Sequence, residues 1–196
     1  MSRLHLLDKS EVAAEYQDIF GPGMNVHRQT LHSPKVARLS RDLGLYFRNQ
    51  SRLDLRLREL AILQVAYSAR SPYEYSHHIK IALDGGVAPL DIAAIAVETR
   101  GEASTLDQLA RTTLAVARLL VAGEPIPDDV FAILKQNLDQ ECVVDLLFLM
   151  SFYCGFVRFT AALEVKVEEG FEPYLRDFPL PDSTAADRPV TDHQTD

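Results

Sequence analysis

What most constrains this chain is its punctuation: helix starts and stops recur along it, and strand signals are scarce. Ser33-Pro34 offers an N-cap followed by a proline at the first helical position, where its fixed φ suits a helix and its missing N–H leaves no bond unmade. The helix it opens is expected to reach about Arg48. Asp54 can cap the next, which carries Leu57, Leu60, Ala61, Ile62, Leu63 and Val65 toward a core. Ser71-Pro72-Tyr73-Glu74 combines a first-turn proline with the Ser-x-x-Glu spacing of a capping box, and Gly85-Gly86 stops that helix after Asp84. Further helices are predicted over residues 89–99, from Ser104 or Thr105 to Ala122, over 127–137 and over 140–168, with an early one over 10–20 that ends at Gly21-Pro22-Gly23. About eight or nine helices with short links indicate one all-α domain, residues 1–178. Residues 179–196 hold three prolines, several acids and almost no large apolar side chains, and read as a mobile tail with no role in the fold.

Charge narrows the partners. Twenty basic residues against 28 acidic ones leave a net charge of −8. Phosphate binding needs a basic face, so neither nucleic acid nor an anionic membrane surface is an expected partner. The most apolar stretch, residues 143–152, begins beside Glu141 and Asp145 and is about half the length of a transmembrane helix. The N-terminus lacks the apolar segment of a signal peptide, and a cytoplasmic location is the expectation. Residues 143–159 are apolar around nearly the whole helical circumference, which predicts burial in a core or a subunit interface and hence a homo-oligomer. Cys142 and Cys154 both sit in an apolar helical segment without a Cys-x-x-Cys pair and read as buried free thiols.

The candidate chemistry centres on Glu74 and His78. Residues four apart on a helix stack along one face, so this carboxylate and imidazole can touch. Such a pair fixes the ring tautomer and can take and return a proton near neutral pH. The capping box would explain Glu74 without catalysis, and the two roles are compatible. Glu59 sits inside an apolar run on the preceding helix, where a carboxylate is costly unless it has a purpose. The short break at residues 69–71 predicts an antiparallel hairpin. Helix rise places Glu59 about 18 Å, and His78 about 10 Å, from that break, so they meet only if the hairpin bends or its helices cross. His77 reads as structural. A weak internal echo relates Glu59 through Tyr67 to Asp145 through Tyr153, each an acid, an apolar run and a tyrosine eight residues on.

Arg58-Glu59-Leu60-Ala61-Ile62-Leu63, then Tyr73-Glu74-Tyr75-Ser76-His77-His78, then Ile81-Ala82 and Gly86, resembles the carboxymuconolactone decarboxylase and alkylhydroperoxidase D-like superfamily. Arg28 with Leu31-His32-Ser33-Pro34 is similar to the lead-in of larger members. The resemblance covers roughly residues 20–165. It implies an all-helical fold assembled as trimers or hexamers. It places Ser71 and Glu74 at the two cysteine positions of the peroxidase branch, His78 on its histidine and Glu59 on its upstream glutamate. With no thiol pair there, dithiol peroxidase chemistry is not expected. The decarboxylase branch implies a cofactor-independent, metal-free lyase acting on a small cyclic carboxylate or lactone. In that reading His78 donates the proton, Glu74 orients and balances it, and Glu59 joins the relay. Tyr73 would bind substrate by a hydrogen bond to a developing enolate oxygen. His32 and Arg28 are further candidates for substrate binding, with Arg56 and Arg58 as alternative cations. Two alternatives remain open at this level: a redox role for Cys142 or Cys154, and a non-catalytic helical oligomer that binds a small molecule.

Overall fold

The computed structural model describes residues 2–182, and every regular element among them is a helix. Ten α-helices are present among those residues: α1 (Gln17–Phe20), α2 (Asn25–Thr30), α3 (Pro34–Asn49), α4 (Leu55–Ser68), α5 (Pro72–Asp84), α6 (Pro89–Thr99), α7 (Gln108–Ala122), α8 (Asp128–Asn137), α9 (Gln140–Ala162) and α10 (Glu172–Asp177). Short 3-10 turns lie at Lys9–Glu11, Ala14–Tyr16 and Glu169–Phe171.

The core forms around α4. Asp54 accepts the Leu57 N–H at 3.2 Å and starts the helix. Every residue from Leu57 to Tyr67 is buried, so α4 has no solvent face, and α5, α6, α7 and α9 pack around it. Leu60 and Leu63 are wholly enclosed. Truncating either to alanine is expected to cost about 2–5 kcal/mol. The link to α5 is tight. Arg70 takes a left-handed φ of 51°. Ser71 N–H then donates to Ala66 O at 2.9 Å and reverses the chain.

α9 starts on Asp139, which accepts the Cys142 N–H at 2.9 Å. By length and composition it would pass for a membrane span, with a mean hydropathy of 1.8 over its most apolar window. It packs against α4, α5, α7 and α8, as the core helix of a globular fold does.

Three boundaries differ from the sequence expectation, each for a local reason. Residues 10–20 do not form one helix. Glu11 accepts from Asp8 N–H, and Gln17 Nε2 donates to Lys9 and Val12 carbonyls, so side chains hold turns that a helix would have bonded through its backbone. The start of α7 falls at Asp107, which accepts the Ala110 N–H at 2.8 Å, because the Ser104 hydroxyl is taken by Glu98 at 2.6 Å. α9 stops at Ala162 and not at Glu168. Glu164 adopts a left-handed φ of 51°, and Val165 N–H donates back to Thr160 O, a glycine-type helix stop made by a glutamate. The chain then crosses the start of α5, where Val165 is buried with Val26 and Tyr73, before the short α10 that the sequence pattern did not foreshadow. The tail expected from residue 179 lies outside the described residues from 183 onward, and within its described part Leu180 packs on the main core.

Candidate active site

α4 and α5 meet at a buried acid–imidazole cluster. His78 Nδ1 lies 2.7 Å from Glu59 Oε2, and both side chains are buried. The helices therefore close the axial mismatch that separated these residues along the hairpin. Glu59 Oε1 accepts from Arg58 Nε at 3.0 Å. Arg58 in turn donates to the Phe47 and Arg48 carbonyls, so the pair is anchored to the end of α3. Burial opposes ionisation of Glu59, but the charges and hydrogen bonds of His78 and Arg58 outweigh it and hold the carboxyl below its usual range. A carboxylate at Nδ1 assigns the proton to that nitrogen and leaves the Nε2 lone pair facing outward.

Glu74 sits on the other side of the ring. Its Oε2 is 3.9 Å from His78 Nε2, too long for a hydrogen bond, so the i, i+4 pair is a near approach and not the tight contact expected. Its Oε1 is buried with no hydrogen-bond partner among the described residues. Ser71 makes no side-chain cap bond, so the capping box does not form, although Ser71 and Pro72 do begin the helix. Glu74 is thus not explained as a cap. Burial raises its pKa, with His78 and His77 only partly opposing.

A cavity of about 530 Å³ opens onto these groups. Glu59, Glu74, His77 and His78 line it, facing Leu149, Phe152, Tyr153 and Phe156 of α9 and the Arg41–Arg48 side of α3. The Tyr153 ring meets His78 edge-on at 5.1 Å. Its hydroxyl is pushed well above its usual pKa by burial and by the fields of Glu74 and Glu59. Among the described residues no group of three His, Cys, Asp or Glu side chains is placed to hold a metal ion.

The remaining sequence candidates are placed differently. Tyr73 borders the cavity with its ring, but its hydroxyl accepts the Val26 N–H and donates to Glu168, both at 3.1 Å. Arg28 is turned to the N-terminal segment, donating to the Leu6 and Leu7 carbonyls and pairing with Asp8. His32 Nε2 donates to the His5 carbonyl at 3.0 Å and is not part of the cavity wall. Arg56 is bound to Asp91 and Asp107, away from the cavity. Gln64 is fully buried, hydrogen-bonded to Ser68, Thr99 and Arg118. Both cysteines are buried, burial raises both thiols, and neither lines the cavity. Sequence reasoning missed His27, Arg48 and Tyr153, all of which line it. For Tyr153 a signal existed in the echo of α4 within α9. For the other two there was none, because they come from elements whose facing sides only the tertiary packing defines.

Fold and site together define an all-helical protein with an acid–imidazole centre at a helical hairpin. Residues 34–118 match the carboxymuconolactone decarboxylase family, a span that contains Glu59, Glu74 and His78. The match spans 85 of the 196 residues, a likeness to that family over the hairpin and its neighbouring helices. Solved structures agree on the fold. A peroxidase-related protein from Ralstonia eutropha JMP134, described as an alkylhydroperoxidase AhpD core, is 17% identical with a TM-score of 0.74, over 92% of this chain and 98% of its own. A cysteine-to-alanine variant of the debrominase Bmp8, bound to 2,3,4-tribromopyrrole, is 17% identical with a TM-score of 0.73, over 91% and 100%. A peroxidase-related protein from Silicibacter sp. TM1040 is 17% identical with a TM-score of 0.72, over 87% and 93%. A search of curated proteins gives no match.

Proposed function

We propose that this chain is a proton-transfer enzyme, a lyase that decarboxylates a small cyclic carboxylate or lactone with Glu74 and His78 as its working groups. The observation that carries this reading is the Glu74 carboxyl: buried, without a partner at Oε1 among the described residues, facing a cavity, and beside an imidazole whose far nitrogen is anchored to Glu59. A carboxyl kept neutral by burial is a proton donor at a pH where an ordinary one is not.

In this reading the bond to the departing carboxylate breaks and its electron pair enters the ring's conjugated carbonyl. Glu74 transfers its proton to the resulting carbanion, which leaves product and a Glu74 carboxylate. Water protonates His78 at Nε2, and His78 returns that proton to Glu74. The balance is one substrate carboxylate and one solvent proton in, one carbon dioxide and one neutral C–H out. Glu59 and Arg58 hold the imidazole in register and take no proton. The aromatic wall of Phe152, Tyr153 and Phe156 suits a flat ring and keeps bulk water from the carbanion.

Thiol peroxidase chemistry is disfavoured by the placement of Cys142 and Cys154, which lie outside the cavity with raised thiol pKa values. The test is His78→Ala assayed by carbon dioxide release from a carboxylated unsaturated lactone. We expect kcat to fall by roughly 10²–10⁴-fold, with the far-ultraviolet circular dichroism unchanged. A folded His78→Ala variant with wild-type turnover refutes the assignment.

A further inference from the structure

The cavity has an inner end that is electrically balanced. Arg58 and Glu59 neutralise each other, and burial favours the uncharged form of Glu74. An anionic substrate therefore finds no free counter-charge there, and the cations that line the cavity must be sorted. Arg41 is bound to Asp18 at 2.8 Å, and Asp18 is also gripped by Arg38. Arg58 is bound to Glu59 and to two backbone carbonyls. Lys80 is bound to Asp84. Arg48 lines the same cavity from the end of α3, and among the described residues its side chain has neither ion pair nor hydrogen bond. It is solvent-exposed, which puts it at the mouth. Its charge is felt on both walls: it acts on Tyr153 beside the catalytic cluster and on His27 opposite. His27 Nδ1, itself buried against the cavity, has no hydrogen-bond partner among the described residues either.

We infer that Arg48 is the specificity-determining residue of this cavity: it selects ring compounds bearing an anionic substituent and holds that substituent at the mouth, with the ring directed inward to Glu74. The inference rests on the proton-transfer reading for the chemistry after binding, but not for binding itself. A guanidinium fits a carboxylate through two parallel N–H···O bonds, and a charge-assisted bond of this kind is worth more than a neutral one. Arg48 needs no break of an existing pair to make it, whereas Arg41, Arg58 and Lys80 each would.

The experiment is calorimetric titration of the full chain with benzoate and with benzamide, a charged and a neutral ring of nearly one shape. The wild type is expected to bind benzoate about tenfold or more tightly than benzamide, the range a charge-assisted contact supplies. Arg48→Gln should bring the ratio to about one while leaving benzamide affinity within about twofold, and Arg48→Lys should restore part of the preference. The preference should also shrink at high salt, because the mouth is exposed. A benzoate preference that survives Arg48→Gln, or no measurable benzoate binding by the wild type, overturns the inference. His78→Ala separates the two ideas: it should keep the Arg48-dependent preference while losing turnover, and a variant that keeps both the preference and wild-type turnover counts against the proton-transfer reading alone.

Discussion

At the scale of single residues, Glu74 carries the most information. Its pKa is raised by burial, so the folded protein favours the protonated carboxyl beyond the range where the unfolded chain ionises. The stability linked to Glu74 is therefore fully present below the unfolded carboxyl pKa and is lost as pH rises through the folded one. Glutamine mimics the neutral acid and does not titrate. Glu74→Gln should gain on the wild type in melting temperature as pH is raised from 4 to 8, while turnover is abolished for want of a proton. A melting-temperature difference that stays flat across this range would mean that Glu74 is an ordinary, solvated carboxylate. The central residues of this site were legible in the sequence because their spacing is local: Glu74 and His78 share one helix, and the Ser71-Pro72 start sets their register. The ranking within the cluster was not legible. Helix rise argued against Glu59 reaching His78, yet that is the 2.7 Å contact, and the one-turn neighbour stands off at 3.9 Å. Arg28 and His32 were drawn in by their place in a family-like lead-in, and their side chains are spent on the N-terminal segment instead.

At the scale of elements, the segment between α9 and α10 works as a strap over the start of α5. Glu168 is its fastening. Its Oε1 accepts the Asn25 N–H at 2.7 Å and the Tyr73 hydroxyl at 3.1 Å, and its Oε2 lies 2.8 Å from His77 Nε2. His77 is also clamped between the rings of Tyr73 and Phe171, with centroids at 4.2 and 3.9 Å. His77 is thus held both by Tyr73 of its own helix and by Glu168 and Phe171 of the strap. Burial opposes the Glu168 charge, but the bonds from His77 and Asn25 prevail and lower its pKa. The sign is opposite to that of Glu74: the contribution is present above the unfolded carboxyl pKa and is lost as pH falls through the folded one. Glu168→Ala should cost about 1–3 kcal/mol at neutral pH, since it strands buried donors. Denaturant unfolding should show the deficit narrowing as pH is taken from 7 toward 3. An equal deficit at both ends would assign the loss to packing and not to charge. The strap escaped the sequence pattern because the helix stop that creates it is Glu164 in a left-handed conformation, where glycine is the usual signal.

At the scale of the whole molecule, the unanswered face is an apolar one. Val144 and Phe148, one turn apart on α9, are 63% and 56% exposed. The Phe148 ring lies 6.4 Å from that of Phe47 on α3. Along α3, Leu39 and Leu43 precede Phe47 at four-residue steps, and Leu39 is 72% exposed. Leu39 on α3 and Val144 and Phe148 on α9 are thus exposed on either side of the buried Phe47, and exposed apolar side chains of this kind can mark an association site. The sequence expectation of self-association, drawn from residues 143–159, is a proposal that the following measurement tests. We expect this face to bring copies of the chain together. The net charge of −8 on each copy opposes their approach, so association should strengthen with added salt, the reverse of what a charge-driven contact does. Phe148→Asp sets a carboxylate on this face, at a residue that is not part of the cavity wall. Light scattering of the wild type should give a mass above one chain, and Phe148→Asp should lower it toward the monomer with benzoate binding intact. A wild type that scatters as a monomer at both low and high salt removes the basis for an interface on α3 and α9. A Phe148→Asp variant with undiminished mass moves the interface elsewhere on the molecule.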